Sequence, residues 1–272
     1  MVRLVVRLIA AAFIGTTTVT LARAQSDSRP AVDVALVIAV DISYSMDPEE
    51  QALQREGYVA AISSRDFVDA VRRGPNGRIA VTYVEWAGVT EQKVIVPWQI
   101  IDGPEAAGAF VQTLNAAQMR RASRTSISGA LVFATSLLEQ SPFRGLRRVI
   151  DISGDGTNNQ GPLIEGARDE VVAKGITING LPIMLKEPNT SFLDIADLDH
   201  YYEDCVIGGP GAFVEPARAR EQFVEAIRRK LLLEVAGKIP QGRARIIPVA
   251  SPPRVSCTVG EQMWQQRWGM PN

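Results

Sequence analysis

The chain has 272 residues and sets 29 lysines and arginines against 30 acids, a formal charge of −1. That balance excludes a nucleic-acid binder, because no surplus of cations exists to displace counterions from phosphates. A composition of 46% hydrophobic and 22% charged residues excludes a disordered chain and a polytopic membrane protein alike. In chain order, Met1, Arg3 and Arg7 precede an apolar stretch over residues 8–15, and Ala22-Arg23-Ala24 supplies the small residues of a processing site. This pattern predicts a secretory signal peptide over residues 1–24, cleaved after Ala24. The polar run Thr16-Thr17-Thr18 argues against an uncleaved anchor, and no cysteine follows for lipidation. Cleavage removes three arginines and no acid, so the exported chain carries −4. The expected location is secreted or periplasmic, without stable membrane insertion after cleavage.

Residues 32–40, VDVALVIAV, are nearly all apolar and rich in β-branched side chains, which predicts a strand buried on both faces of a parallel sheet. A loop leads to residues 48–71, where Leu53, Tyr58, Ile62, Phe67, Val68 and Val71 recur at helical spacing and predict one long helix before the breaker GPNG. Residues 78–86 and 92–98 form an expected hairpin. Pro104 opens a helix to residue 114, and residues 126–138 make another. A strand over 146–152, a helix over 162–173 and a strand over 176–181 follow. Then come a short helix over 191–201, a last strand over 212–214 and a long helix over 215–235. Strands alternating with helices predict a doubly wound α/β fold, its sheet mostly parallel with one antiparallel edge strand and helices on both faces. Residues 25–237 are expected to form one domain. Residues 238–272, with Pro240, Pro248, Pro252 and Pro253, read as an extended tail that Trp264 and Trp268 dock. Cys205 and Cys257, an even pair in an oxidising compartment, predict a disulfide. Closing its loop of about 50 residues stabilises by about 4 kcal/mol on the chain-entropy model.

In open α/β sheets ligands collect outside the carboxyl ends of the strands. The loop after the first strand holds Asp41-Ile42-Ser43-Tyr44-Ser45, the loop after the strand 146–152 holds Asp155, and a helix start between them holds Thr125. Carboxylate and hydroxyl oxygens without His or Cys suit a hard divalent cation, Mg²⁺ first and Mn²⁺ or Ca²⁺ behind it. Three neutral hydroxyls and two carboxylates leave a dication incompletely shielded, so it should attract a carboxylate from another molecule. Taken singly, Ser43, Ser45, Thr125 and Asp155 are equally readable as helix caps and turn formers.

Together these residues resemble the metal-ion-dependent adhesion site of a von Willebrand factor type A domain. That family places Asp-x-Ser-x-Ser after the first strand, a Thr ahead of a helix start ending in Ala-Leu, and an Asp followed by Gly after a central strand. Asp41, Ser43, Ser45, Thr125 and Asp155 fall on this pattern, and the likeness extends over residues 32–235. The sequences Val84-Glu85-Trp86, Asn179-Gly180-Leu181-Pro182-Ile183 and the stretch 201–213 resemble a bacterial exported branch of the superfamily. The resemblance implies divalent-metal binding and capture of a protein partner that offers a carboxylate, without catalysis. It also implies that Ser43, Ser45 and Thr125 touch the metal directly while one or both of Asp41 and Asp155 act through water. One departure stands out: Arg124 occupies a position where the family often has Gly. Arg120, Arg121 and Arg124 read as a solvated turn, with steering of acidic ligands as the other reading.

Competing chemistries fit less well. A metal-assisted hydrolase needs a general base, for which Asp47, Glu49 and Glu50 are the nearby candidates, expected on the first turn of a surface helix. A metal-free scaffold with a vestigial cluster is the second alternative. An EF-hand begun at Asp151 fails because its twelfth position is Pro162. His200, the single histidine, reads as structural, and Gly208, Gly209 and Gly211 read as a tight turn.

Overall fold

The computed structural model describes residues 27–186, 194–236 and 253–269; the expected signal peptide and residues 238–252 and 270–272 of the tail lie outside them. Five strands form one sheet in the order β3-β2-β1-β4-β5: β1 (Ala31–Asp41), β2 (Ile79–Trp86), β3 (Gln92–Ile101), β4 (Arg144–Gly154) and β5 (Thr177–Pro182). Only the pairing of β2 with β3 is antiparallel. The apolar run of β1 lies at the centre because both its faces are covered. Val34, Leu36, Ile38 and Val40 point into one core and Ala35, Val37 and Ala39 into the other.

The first core is closed by α1 (Pro48–Ser63), α2 (Arg65–Arg72), α3 (Pro104–Ala116) and α7 (Arg220–Ala236), through Tyr58, Phe67, Phe110 and Phe223. The second is closed by α4 (Ile127–Glu139), α5 (Ile164–Ala173), the short α6 (Leu198–Tyr201) and a π-helical turn over Tyr202–Val206. A last helix, α8 (Val259–Trp268), lies over this second side, with Val255 and Val259 packed on its core. Chain order reverses between β1 and β4, so the carboxyl ends of these two neighbours flank the crevice where such sheets bind ligands.

Several expected elements differ. The single helix over 48–71 is two helices, because Ser64 adopts an extended conformation that ends α1 and caps α2. Its hydroxyl donates to Ala61 O at 2.7 Å and accepts from Phe67 N at 3.2 Å. The expected last strand is reduced to isolated bridges, Val214 to Gly180 and Ala217 to Ile183. Gly209 and Gly211, both at positive φ, turn the chain just before them. The final helix begins at Arg220, past Pro216, instead of at 215. The start of the expected 191–201 helix lies outside the described residues. The tail is not extended throughout, since α8 is helical. Cys205 and Cys257 are joined by a disulfide with a Cα separation of 5.4 Å.

Candidate functional site

Asp41 closes β1, where Ile42 N still donates to Trp86 O at 2.9 Å. The chain then turns back, Met46 N donating to Ser43 O, and Asp47 opens α1 through a reciprocal cap with Glu50. Within this turn the polar side chains are linked in series. Ser43 N donates to Asp41 Oδ1 at 2.7 Å, the Ser43 and Ser45 hydroxyls are 2.8 Å apart, and Ser45 Oγ donates to Asp155 Oδ1 at 2.6 Å. Asp155 arrives from the end of β4, one residue past Gly154. A Cβ at position 154 would lie 2.8 Å from Asp41 Oδ2, so glycine is what lets β4 pass so close to the carboxylate.

Thr125 sits on the neighbouring loop, ahead of α4, and is 5% exposed. It is pinned to the β4 loop at both backbone groups, its N–H donating to Asn159 Oδ1 at 3.0 Å and its carbonyl accepting from Asn159 N at 2.8 Å. Asn158 ties the same two loops together, accepting at Oδ1 from Ser128 N and Ser128 Oγ. The structure therefore strings Asp41, Ser43, Ser45 and Asp155 into one hydrogen-bonded chain and sets Thr125 beside it, outside that chain.

Among the described residues no three His, Cys, Asp or Glu side chains cluster as a metal shell. The donors at hand are instead two carboxylates and three hydroxyls. Asp41 is fully buried, and its Oδ2 has no hydrogen-bond partner. A buried carboxylate oxygen left unpaired is costly, and a cation supplied from outside would satisfy it. Burial, followed by the charge of Asp155, raises the Asp41 pKa well above the usual carboxylate range. The donor set thus fits a hard divalent ion.

A family model described as "Protein of unknown function (DUF1194)" matches residues 31–239. The chain belongs to the DUF1194 family. No curated protein matches it. Among solved structures, it is similar to proximal thread matrix protein 1 from the mussel byssus, at 13% identity and a TM-score of 0.54 over 76% of this chain and 49% of that one. It is similar to a von Willebrand factor type A protein from Catenulispora acidiphila, at 14% identity and a TM-score of 0.52 over 76% of this chain and 43% of that one. A third likeness is to the vWF domain of the type V pili tip protein Mfa5 from Porphyromonas gingivalis, at 12% identity and a TM-score of 0.53 over 78% and 98% of the two chains. The DUF1194 chain thus spans about half the length of the mussel protein, and at these identities the likeness concerns the fold. That fold is the von Willebrand factor type A fold.

Two features of this DUF1194 chain depart from sequence expectation. Arg121 is exposed and Arg120 partly so, as a solvated turn implies, but all three side chains are engaged. Arg120 pairs with Glu91 at 3.3 Å, and Arg121 donates to the carbonyls of Tyr44 and Met46, holding the loop that carries the serines. Arg124 is the one non-glycine with positive φ among the described residues, at 74°. Its guanidinium carbon lies 3.4 Å from the centroid of the Trp264 ring on α8. Trp268 packs beside Trp264 and is half exposed. The signal for the strained backbone was present in the sequence: glycine is what the family often has there, and glycine enters this conformation without cost.

The second feature is Lys186, which sequence reasoning missed. Its ammonium reaches the Ser45 carbonyl, Asp155 Oδ2 at 2.8 Å and Glu50 Oε2 at 3.1 Å. The Glu50 side chain is buried, where a surface position was expected; Glu49 is the solvated member of that pair. Burial opposes the charge on Lys186, but the Asp155 and Glu50 carboxylates outweigh it and hold its pKa above the ordinary value. Lys186 follows β5 by four residues, at the same end of the sheet as Asp41 and Asp155. Extending the strand-exit search to the loop after β5 would have found it.

Proposed function

We propose that this chain is an exported, metal-dependent protein-binding module. Residues 1–24 act as its cleaved signal peptide, 25–237 as the binding domain and 238–272 as a tail tethered through Cys257. Asp41, Ser43, Ser45, Thr125 and Asp155 hold a divalent cation, Mg²⁺ first, with Mn²⁺ or Ca²⁺ as alternatives. When bound, the cation supplies positive charge for an anionic oxygen from a partner protein. The observation that carries this reading is the unpaired, buried Asp41 Oδ2 at the head of a carboxylate and hydroxyl chain, placed where the strand order reverses. Export is supported by the disulfide. Among the described residues no helix is long and apolar enough to cross a membrane. A pilus tip protein among the similar structures supports the adhesive role.

The hydrolytic alternative has less support, because the best-placed base, Glu50, already accepts from Asp47 N and Lys186. The test is calorimetric titration of Mg²⁺ and Mn²⁺ into the metal-free protein and into Asp41→Ala. Uptake at micromolar to millimolar levels by the wild type, lost in Asp41→Ala with far-ultraviolet circular dichroism unchanged, is the expected result. No uptake at millimolar metal would defeat the proposal. Equal capture of an acidic partner by Asp41→Ala would favour the metal-free scaffold.

A further inference from the structure

We infer that Lys186 is a built-in counter-cation of the site, which competes with the divalent ion for Asp155 and sets how tightly the metal binds. The inference rests on the metal reading above and deepens it. Three acceptors converge on one ammonium: the Ser45 carbonyl from the serine loop, Asp155 Oδ2 from the end of β4 and Glu50 Oε2 from the first turn of α1. The other oxygen of Asp155 already accepts from the Ser45 hydroxyl at 2.6 Å. Both oxygens of the Asp155 carboxylate are therefore engaged by protein groups, while Asp41 Oδ2 has no hydrogen-bond partner. A cation drawn to Asp41 and the serines must draw on Asp155 as well, directly or through water. It then either displaces the ammonium or shares the carboxylate with a positive charge a few ångströms away.

The surroundings of Lys186 allow it to move. Its side chain is 29% exposed, whereas Asp155 and Glu50 are at 4% and 2%. Beside it opens a cleft of about 310 Å³ that Leu185, Ala196 and Arg218 also line. A four-carbon stem ending in a compact, strongly hydrated charge has room to swing into such a cleft once a divalent ion draws on Asp155, where a planar guanidinium held by a fork of hydrogen bonds would stay tied down. The lysine thus compensates Asp155 and Glu50 when no metal is present, and its like charge penalises the metal when it arrives. Two like charges this close in a half-buried setting weaken binding by about tenfold or more.

The experiment is calorimetric titration of Mn²⁺, alone and without a partner, into the metal-free full chain and into Lys186→Met, with Lys186→Arg as the charge-retaining control. Melting is followed in parallel in EDTA and in Mn²⁺. Lys186→Met is expected to bind Mn²⁺ about tenfold or more tightly than the wild type, to melt lower in EDTA, and to gain more from Mn²⁺. Lys186→Arg should bind no more tightly than the wild type. Lys186→Gln, which keeps a donor for Asp155, carries the same test should the methionine disturb folding. Uptake by the neutral variants alone would also support the inference. Equal or weaker Mn²⁺ affinity in both neutral variants overturns it while leaving the metal reading in place. Absence of uptake by the wild type and by every variant overturns both.

Discussion

Two lysines in this protein each stand between a pair of carboxylates, and they differ in what encloses them. Lys230 on α7 pairs with Asp151 of β4 and with Glu234 one turn on at 2.7 Å; its side chain is 1% exposed and both acids are fully buried. Asn179 of β5 adds a hydrogen bond to Glu234 at 3.2 Å, so the cluster bolts α7 across two strands. Lys186 makes a triad of the same composition at the rim of the sheet, but its head is partly wet and the neighbouring Asp41 keeps an oxygen without a partner. The sealed triad has no access for an ion and serves packing. The rim triad has access and an unmet acceptor, and these make it a candidate for exchange. Burial of the cation, more than the identity of the three charges, separates the two roles.

The largest expected effect comes from the sealed triad. Lys230→Met leaves two carboxylates uncompensated in the core and should cost about 3–5 kcal/mol of stability, measured by denaturant unfolding, with no recovery on adding Mn²⁺. A cost near that of an exposed pair would erase the distinction. Lys186→Met should cost about 1–2 kcal/mol in EDTA, since buried acceptors lose a charged partner, and millimolar Mn²⁺ should restore the loss. Failure of metal to restore it would place the rim triad with the sealed one. The smallest effect is a pH slope. Burial, followed by the charge of Asp151, raises Glu234 to about 7. A carboxyl whose pKa is higher folded than unfolded binds more protons in the native state, so its stabilising contribution is present below the ordinary Glu pKa and is lost as pH climbs towards 7. Glu234→Gln should flatten the stability profile across that window, and equal slopes in the two proteins would show that another group titrates there.

Much of the fold was legible because burial on both faces leaves a plain mark. The unbroken apolar run over residues 34–40 of β1 and the helical spacing in α4 point to a covered parallel sheet without help from tertiary information. The break at Ser64 was not legible. A serine followed by Arg65 and Asp66 reads as helix interior or helix cap with equal ease, and the choice is made by how α2 packs on α7. The bridge at Val214 was misread as a strand because a short apolar run carries no information on whether a partner edge is available. At the site, Asp41, Ser43, Ser45, Thr125 and Asp155 were selected by residue type and by position at strand exits and helix starts. Lys186 escaped because its role is set by distance to Glu50 and Asp155, which are 136 and 31 positions away. Arg124 was visible as an anomaly, but its ring partner on α8 could not be foreseen across more than half the chain.

The disulfide decides what a single proteolytic cut would do to this molecule. Cys205 lies in the π-helical turn and Cys257 just ahead of α8, 52 positions apart, and α8 falls beyond the residues matched by the family model. The intervening polypeptide is thus a covalently closed ring. A protease that severs it once produces two fragments still bound to each other, with Trp264 kept over Arg124 and Glu261 still accepting from Asn158. Under thiol-rich conditions the same cut would let the terminal helix diffuse away, so an oxidising habitat makes the scission silent and a reducing one makes it a loss of mass.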